Sequence, residues 1–294
     1  MDVRQLEFFV AVADELNFTR AAQRVQAVQS TVSAGIRALE RELRVDLFDR
    51  STRHVTLTDV GAALLVEART ALDAAERMRA YAEAPPEQLR GRVRVGLLTN
   101  MQALDAPAVL GEFRRRHPLV DVRLRFSPSG SVGLIQDIRR GRLDIAFAGH
   151  PEDSAPDLET TKVAEFPFVA IVPRDHRLAD AKSVALSSLL DEPFIDGLPG
   201  FGNRRLVDAA LHRTGRTRQV STEIPDLALA PGLVAAGLGI AVLPDMADVT
   251  DPRVVTVPLT RPRLALVVDA IRLRERRSPA VTALFDLMRE RLGR

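Results

Sequence analysis

The segment from Ser30 to Leu43 has the hydrophobic spacing of one amphipathic α-helix. Its apolar residues recur at intervals of four, three and four: Val32, Ile36, Leu39 and Leu43. The opposite face carries an amide, two short hydroxyls and a guanidinium, from Gln29, Ser30, Ser33 and Arg37. Groups of this kind reach base edges and phosphates when a helix lies in the major groove of DNA. The pattern therefore predicts a DNA-recognition helix.

A shorter helix, residues 19–25, precedes the recognition helix and is joined to it by a turn of about three residues. Its small side chains Ala21 and Ala22 allow two helices to approach closely. This arrangement predicts a helix-turn-helix. On the helix pair alone, an ordinary αα-hairpin in a helical domain explains the pattern equally well.

The segments on either side favour DNA binding. A leading helix and the flanking residues supply the rest of a core: Leu6, Phe9, Val10, Ala13, Phe18, Leu47 and Phe48. Residues 50–57 then alternate in the manner of a short β-ribbon, and Arg50, Arg53 and His54 lie at its tip. A basic β-ribbon beside a recognition helix is a wing, which contacts phosphates or the minor groove.

Five motifs in this order, at residues 8–15, 17–22, 32–40, 47–50 and 57–61, resemble the amino-terminal domain of LysR-type transcriptional regulators. The resemblance continues less densely through residues 141–146 and 233–244. It implies a DNA-binding regulator that responds to a small effector and has no catalytic activity.

The recognition helix departs from the family pattern at its start. Val28 replaces the usual Ser or Thr cap, so the first-turn amides lack a side-chain acceptor unless Ser30 takes over the cap. Gly35 lies inside the helix, where glycine costs roughly 1 kcal/mol relative to alanine. Together these residues predict fewer base contacts or a bendable helix.

Length and composition bound the remaining possibilities. The 294 residues provide for two or three domains, and the formal net charge of +2 does not by itself favour nucleic acid. Cysteine is absent, which excludes disulfides and thiol catalysis. The sequence has no leader-like start and no apolar run long enough to cross a bilayer. We therefore expect a soluble, cytoplasmic protein without a membrane partner.

A long helix is expected from Thr58, its predicted N-cap, to the Pro85-Pro86 pair. Its apolar positions follow a coiled-coil spacing: Gly61, Leu64, Leu65, Ala68, Ala71, Leu72, Ala75, Met78 and Ala82. In the resembled family this linker helix is the dimer interface, so we expect this chain to self-associate through it as a dimer or tetramer. The alternative is a helix that packs only on its own domain.

Residues 91–294 alternate strand and helix signals in the β-α-β-α-β order of a parallel, doubly wound sheet. The expected elements include a strand with strict apolar-polar alternation at 120–126, a helix at 206–212 and a last helix that begins at a Ser278 cap. Pro231 lies inside a helix expected at 229–236, where it is either a kink or a tolerated irregularity. Chain crossings near residues 162 and 268 resemble those of type 2 periplasmic-binding proteins. We therefore predict an α/β protein overall, in three parts. These are a winged helix-turn-helix domain (1–58), a linker helix with hinge (59–90) and an effector domain (91–294), whose lobes span 91–161 plus 269–294 and 162–268.

The cleft between the two lobes is the expected effector site. Polar turns and helix starts at its predicted rim contain eight candidate residues: Thr99, Asn100, Ser129, Ser131, Phe201, Asn203, Arg204 and Asp226. The turn at Thr99 and Asn100 is suited to a carboxylate or another anion. Ordinary turn chemistry explains the same residue types, so each assignment has a structural alternative.

An enzyme is the main interpretation from another class, and the sequence disfavours it. The five histidines, all expected at the surface, are scattered, and no nucleophile elbow or dinucleotide fingerprint is present. We predict no metal and no cofactor.

The predicted DNA-binding residues are Thr19, Gln29, Ser30, Thr31, Ser33, Arg37, Arg50 and Arg53. The alternatives are a solute-binding protein or a ligand-binding protein without specific DNA recognition.

Overall fold

The computed structural model describes residues 1–49, 55–82, 88–98, 104–127, 129–149, 155–246, 249–275 and 278–293. In the helix Asp59–Ala82 it describes the side chains up to Glu76 and that of Met78. The chain forms two compact units. One comprises Met1–Gly91 and Arg139–Arg142, and the other comprises Arg92–Ile138 and Leu143–Arg294.

The amino-terminal unit is a helix-turn-helix with a two-stranded ribbon. Its elements are α1 (Val3–Glu15), α2 (Phe18–Arg24), α3 (Gln29–Leu43), β1 (Phe48–Asp49), β2 (Thr56–Leu57) and α4 (Asp59–Ala82). The turn between α2 and α3 comprises the four residues 25–28, one more than the spacing predicted. Strands β1 and β2 pair antiparallel, with Phe48 opposite Leu57, which confirms the ribbon.

The apolar face of α3 is the centre of this unit's core. Val32, Ile36 and Leu39 are completely buried, as their spacing predicted. Phe48 closes the core from the ribbon side, where its ring meets those of Phe9 and Phe18 edge-on at centroid distances of 5.7 and 6.0 Å. Burying one complete face of α3 leaves its polar face directed outward.

Gly35 has a packing role that the sequence did not reveal. A Cβ atom built on Gly35 would lie 2.6 Å from Cδ2 of Phe8, far inside van der Waals contact. Phe8 is buried on α1, so its ring has little freedom to move aside. The glycine therefore permits close packing of α1 on α3, and the expectation that it makes the helix bendable stays a prediction.

Helix α4 joins the same core through its first half. Thr58 is its N-cap, as predicted, since the Gly61 amide donates to Thr58 Oγ1 over 2.9 Å. Leu65 and Ala68 are buried in the amino-terminal core, whereas Met78 is 74% exposed. Part of the predicted coiled-coil seam is thus occupied within the chain, and Met78, at a later position of the seam, faces outward.

A buried ion pair fixes α4 to the helix-turn-helix. Arg69 of α4 donates to Asp14 of α1, and its side chain is only 4% exposed. Asp14 also lies 3.0 Å from Arg24 of α2. One carboxylate therefore bridges cations from two other helices, which compensates the cost of burying charge.

The carboxyl-terminal unit alternates strands and helices. Its larger elements are β3 (Gly91–Leu97), α5 (Ala106–Arg116), β4 (Val120–Phe126), α6 (Gly130–Arg139), β5 (Ile145–Gly149), β6 (Leu158–Pro173), β7 (Val184–Ala185), β8 (Phe194–Gly197), α7 (Gly202–His212), β9 (Val220–Ile224), α8 (Ala230–Ala235), β10 (Ile240–Pro244), β11 (Val254–Arg261), β12 (Ala265–Leu273) and α9 (Pro279–Leu292). Ser278 caps α9 as predicted, because the Val281 amide donates to its hydroxyl.

The strands form one continuous path, in the order β4-β3-β5-β12-β6-β10-β8-β9. Strands β3 and β5 are parallel, as are β8 with β10 and β8 with β9. The long strand β6 belongs to both halves, because it pairs with β12 near its start and with β10 and β11 near its end. Two sheets thus share β6, which gives the two-lobed α/β architecture that the strand pattern predicted.

Asp144, which follows α6, joins strand β5 to strand β3. Its carboxylate accepts the backbone amide of Arg94 at 2.8 Å and two guanidinium hydrogen bonds from the same residue at 2.9 and 2.7 Å. A charge-assisted, bidentate contact of this kind is strong and directional. It fixes the register of β5 beside β3, because Asp144 directly precedes β5 and Arg94 lies in the middle of β3.

Several boundaries were predicted wrongly in this unit. Strands β8 and β11 were missed, and α7 begins at Gly202 instead of near Leu206. Pro231 lies in the first turn of α8, where its missing N–H breaks no helical bond, so it does not kink a longer helix. Strand β4 was expected to bury alternate residues, but it lies at one edge of the sheet, and Leu124 and Phe126 are exposed.

We predict that Gly35→Ala lowers the free energy of unfolding, although alanine is the better helix former. The clash with Phe8 should cost about 1–3 kcal/mol, which outweighs roughly 1 kcal/mol of helix propensity. Urea unfolding followed by circular dichroism measures the change. Combining Gly35→Ala with Phe8→Leu should recover part of the loss, and a Gly35→Ala variant as stable as the parent would contradict the packing argument.

Candidate DNA-recognition surface and effector cleft

The outward face of α3 presents the residues predicted to meet DNA. Gln29, Ser30 and Arg37 are exposed, and Ser33 is half-buried. The Gln29 side-chain amide donates to Ser33 Oγ over 3.1 Å, which holds the two side chains in a fixed relation. Thr31 and Thr19 are also exposed, at the first turns of α3 and α2. The predicted residues of the two helices therefore lie on solvent-facing surface of the amino-terminal unit.

Helix α3 begins without a side-chain cap. Its N-cap is Val28, whose side chain makes no capping hydrogen bond, and the helix does not shift its start to Ser30. The Val28 carbonyl accepts the Thr31 and Val32 amides at 3.0 and 3.2 Å. The Val28 side chain is 68% exposed. An apolar side chain therefore stands uncovered at the amino end of the recognition helix.

Two further arginines extend the polar face of α3. Arg37, Arg41 and Arg44 follow one another at helical spacing and line a shallow depression of about 360 Å³. Arg44 is the C-cap and adopts a left-handed conformation, with φ of 58°. Arg41 and Arg44 were not among the predicted DNA-binding residues. Their spacing of four and seven residues from Arg37 places them on the same face of the helix, and this spacing could have identified them from the sequence.

The tip of the wing lies outside the described residues. This applies to Arg50, Arg53 and His54. The structure describes the base of the ribbon, where Asp49 pairs with Thr56 and Phe48 pairs with Leu57. The predicted backbone contacts of the two arginines therefore stay predictions.

In the carboxyl-terminal unit, the lobes meet beside the start of α6 and the start of α7. Ser131 of α6 is buried, and its hydroxyl accepts the Gly149 amide at 2.8 Å. A Cβ atom built on Gly202 of α7 would lie 3.6 Å from the same hydroxyl. Phe201 is buried at this junction, 3.4 Å from a Cβ built on Gly130. Ser131 and Phe201, predicted independently, are thus brought together.

The other effector candidates are distributed differently. Thr99 and Asn100 lie outside the described residues. Ser129 is exposed beside Gly200, since a Cβ on that glycine would lie 3.9 Å from the Ser129 carbonyl. Asp226 accepts the Ala228 amide at 3.0 Å and thereby caps a short 3-10 turn. The capping contact gives Asp226 a structural role of its own.

Asn203 and Arg204 belong to α7, not to a flexible turn. The Asn203 amide donates to Asp196 Oδ1 over 2.7 Å in the interior of lobe two. Arg204 donates to the Gly197 carbonyl at 3.0 Å and to Glu223 at 2.6 Å. Both side chains are therefore engaged in holding α7 against β8 and β9.

Asp196 is the centre of this polar cluster. It was not among the predicted residues because strand β8 was not predicted. Its carboxylate is completely buried and also contacts the guanidinium of Arg218, whose side chain is 2% exposed. Burial raises the pKa of the Asp196 carboxyl, and the positive charge of Arg218 acts in the opposite direction. Arg218 additionally lies 2.9 Å from Asp208 of α7 and 5.1 Å from the centroid of the Phe194 ring.

Among the residues that the structure describes, no group of three or more histidine, cysteine, aspartate or glutamate side chains is placed to hold a metal ion. His176 was expected at the surface, but its side chain is only 10% exposed and lies 3.1 Å from Glu192. His212 is exposed, and His54 and His150 lie outside the described residues.

A winged helix-turn-helix joined to a two-lobed α/β unit is the architecture of a DNA-binding regulator with a ligand-binding domain. Two family models match the chain. They are the bacterial regulatory helix-turn-helix protein, lysR family, over residues 3–62, and the LysR substrate binding domain over residues 86–293. The chain belongs to the LysR family of transcriptional regulators, and it combines a DNA-binding domain with an effector-binding domain.

Individual relatives support the same assignment. The chain is 30% identical to the transcriptional dual regulator GltC of Bacillus subtilis, covering 98% of this chain and 96% of GltC. It is 33% identical to the uncharacterized regulator YfeR of Shigella flexneri, over 98% of this chain and 93% of YfeR. The structure of a full-length OxyR variant from Pseudomonas aeruginosa matches with a TM-score of 0.72 and 27% identity, over 98% of this chain and 95% of that chain.

In the described helices no segment combines the length and apolar character needed to span a membrane.

We predict that Arg218→Met destabilises lobe two by about 3–5 kcal/mol at neutral pH, because it leaves the Asp196 carboxylate buried without a counter-charge. The pKa of Asp196 in the folded state then rises further above its unfolded value. The loss should be largest above the folded pKa and should shrink as the pH falls toward about 3.9. Urea unfolding at pH 7 and pH 4.5 tests both statements.

Arg216→Met is the matched control, since Arg216 is exposed in the same loop and its replacement should change stability by less than about 0.5 kcal/mol. The double variant Asp196→Asn, Arg218→Met should recover much of the loss. An Arg218→Met deficit that is absent, or equal at both pH values, would show that the pair is not the main stabilising contact.

Proposed function

We propose that the chain recognises its operator through the amino-terminal half of α3, with the wing and the arginines of α3 contacting the phosphates. Gln29, Ser30, Ser33 and Arg37 would meet base edges in the major groove, and Thr19, Thr31, Arg50 and Arg53 would contact the backbone. The observation that supports this assignment is the outward placement of the predicted α3 residues. Side chains of these types form the direct and backbone contacts of protein–DNA interfaces.

Arg41 and Arg44 join the proposed DNA surface as phosphate contacts. They continue the row begun by Arg37, and all three are exposed. A basic side chain at a helix carboxyl end also interacts favourably with the helix dipole. However, a left-handed conformation is costly for arginine, and glycine would serve better as a cap. The presence of arginine instead of glycine at position 44 therefore supports a role for its positive charge in phosphate contact.

The effector is proposed to be a small molecule with an anionic group, bound beside Ser131 between the lobes. The starts of α6 and α7 converge there, and helix amino-termini attract anions. Phe201 is the N-cap of α7, and that helix start has no side-chain capping hydrogen bond. The predicted contacts of Thr99, Asn100, Ser129 and Phe201 belong to the same proposed site, whereas Asn203, Arg204 and Asp226 would act by shaping lobe two.

The proposed regulator acts as a dimer or tetramer in the cytoplasm and is not an enzyme. Self-association would use the later turns of α4, where Met78 is exposed. Two recognition helices in a dimer would contact two half-sites. The domain boundaries proposed for this arrangement are 1–58, 59–90 and 91–294, with lobe one at 91–161 plus 269–294 and lobe two at 162–268. A change in lobe packing on effector binding would alter the spacing of the recognition helices, with a coupling of about 1–3 kcal/mol.

Arg37→Ala tests the proposed docking of α3. We expect it to weaken operator binding by about 1–3 kcal/mol at fixed salt, because a base or phosphate contact is lost. Fluorescence anisotropy with the operator and a scrambled duplex, at two salt concentrations, measures affinity and specificity. Arg213→Ala, which replaces an exposed arginine of lobe two, serves as the control. Equal affinity of Arg37→Ala and parent for the operator would refute this docking.

Ser131→Ala tests the proposed effector site. A panel of small carboxylates and phosphate esters is first screened for compounds that raise the melting temperature of the parent protein or alter its operator affinity. We expect Ser131→Ala to reduce the response to an active compound about tenfold, as loss of a hydrogen bond to a charged group implies, while DNA binding without the compound stays unchanged. Ser187→Ala, which replaces an exposed serine of lobe two, is the control. An unchanged response in Ser131→Ala would move the site elsewhere.

A further inference from the structure

Val28 combines two features that are unfavourable in the free protein. Helices α1, α2 and α4 of the same unit each begin with a side-chain cap, from Asp2, Asn17 and Thr58 respectively. Helix α3 begins with Val28 and has no such cap. A valine at this position stabilises a helix start less than serine or threonine does. Since its side chain is 68% exposed, valine regains little of that loss through burial.

The position of Val28 places it at the DNA-reading end of the proposed interface. It directly precedes Gln29 and lies at the amino end of α3. In a helix-turn-helix, the first residues of the recognition helix contact base edges in the major groove. Val28 is therefore continuous with the surface that Gln29, Ser30 and Ser33 form.

The chemistry of Val28 limits what it can recognise there. Its isopropyl group offers no hydrogen bond, and thymine alone presents a methyl group at the major-groove edge of the four bases. The adjacent Gln29 has the side chain that pairs with adenine N6 and N7. Its contact with Ser33 Oγ, at 3.1 Å, orients the carboxamide before DNA arrives. An apolar group beside an adenine-reading amide matches an A·T-containing step.

We propose that Val28 is a specificity residue that packs against the 5-methyl group of a thymine in each operator half-site. This inference rests on the proposed docking of α3 in the major groove. It assigns the exposed valine a role that a capping serine or threonine would not fill as well. The chain thus forgoes a side-chain cap at the helix that is proposed to read bases.

The test removes the 5-methyl group of thymine from the DNA and, in separate variants, the isopropyl group of Val28 from the protein. An operator sequence is first obtained by selection from random duplexes with the full-length protein. Each thymine of one half-site is then replaced in turn by deoxyuridine, which lacks only the 5-methyl group. For the parent protein we expect about a fourfold loss of affinity at one thymine, the amount that corresponds to one buried methyl.

Val28→Ser should bind the thymine and uracil duplexes with equal affinity, and its melting temperature should rise because α3 regains a cap. Val28→Ala should reduce the discrimination, because its shorter side chain makes less apolar contact, and it should not gain the cap, which separates the methyl contact from helix stability. Val60→Ala removes another exposed valine, at the start of α4, and should discriminate as the parent does.

Three outcomes distinguish the possibilities. Discrimination at one thymine by the parent, its loss in Val28→Ser and its reduction in Val28→Ala would establish the contact. Discrimination that persists in both variants, or that is absent at every thymine, would overturn it while specific DNA binding stands. If the selection returns no preferred sequence, the proposed mode of DNA recognition fails, and the Val28 contact fails with it.

Discussion

Burial of the apolar face of α3 is the constraint on which the DNA-binding unit depends. Because Val32, Ile36 and Leu39 are completely enclosed, the rotation of α3 about its axis is determined, and the polar side chains must face outward. Gly35 makes this burial possible, since any larger residue would meet the ring of Phe8. The orientation of the recognition surface is thus a consequence of core packing and not of contacts among the polar residues themselves.

Around that fixed helix, two local features are unfavourable for helix stability. The start of α3 lacks a side-chain cap, and its end places Arg44 in a left-handed conformation that suits glycine better. Local conflicts of this kind are expected at functional sites, where the surrounding structure compensates for them. In this unit the compensation comes from the shared core with α4 and from the Arg69 and Asp14 pair.

The carboxyl-terminal unit uses charge in a different way. Arg94 with Asp144 fixes two adjacent strands. Arg218 pairs with Asp196 of β8 and with Asp208 of α7, and so joins α7 to β8. The long strand β6 contributes to the sheets of both lobes and so connects them directly. Asn203 holds α7 against β8 through its hydrogen bond to Asp196.

The sequence by itself determined the family, the amphipathic face of α3, the caps of α4 and α9, and the order of most strands and helices. These features follow from local periodicity and from motifs whose spacing is short. Tertiary structure alone decided the role of Gly35, the burial of Asp196 and the exposure of edge strand β4, since each depends on residues distant in the chain. Strand β8 was missed because its four residues carry no periodicity of their own, and their burial arises from pairing with β9 and β10.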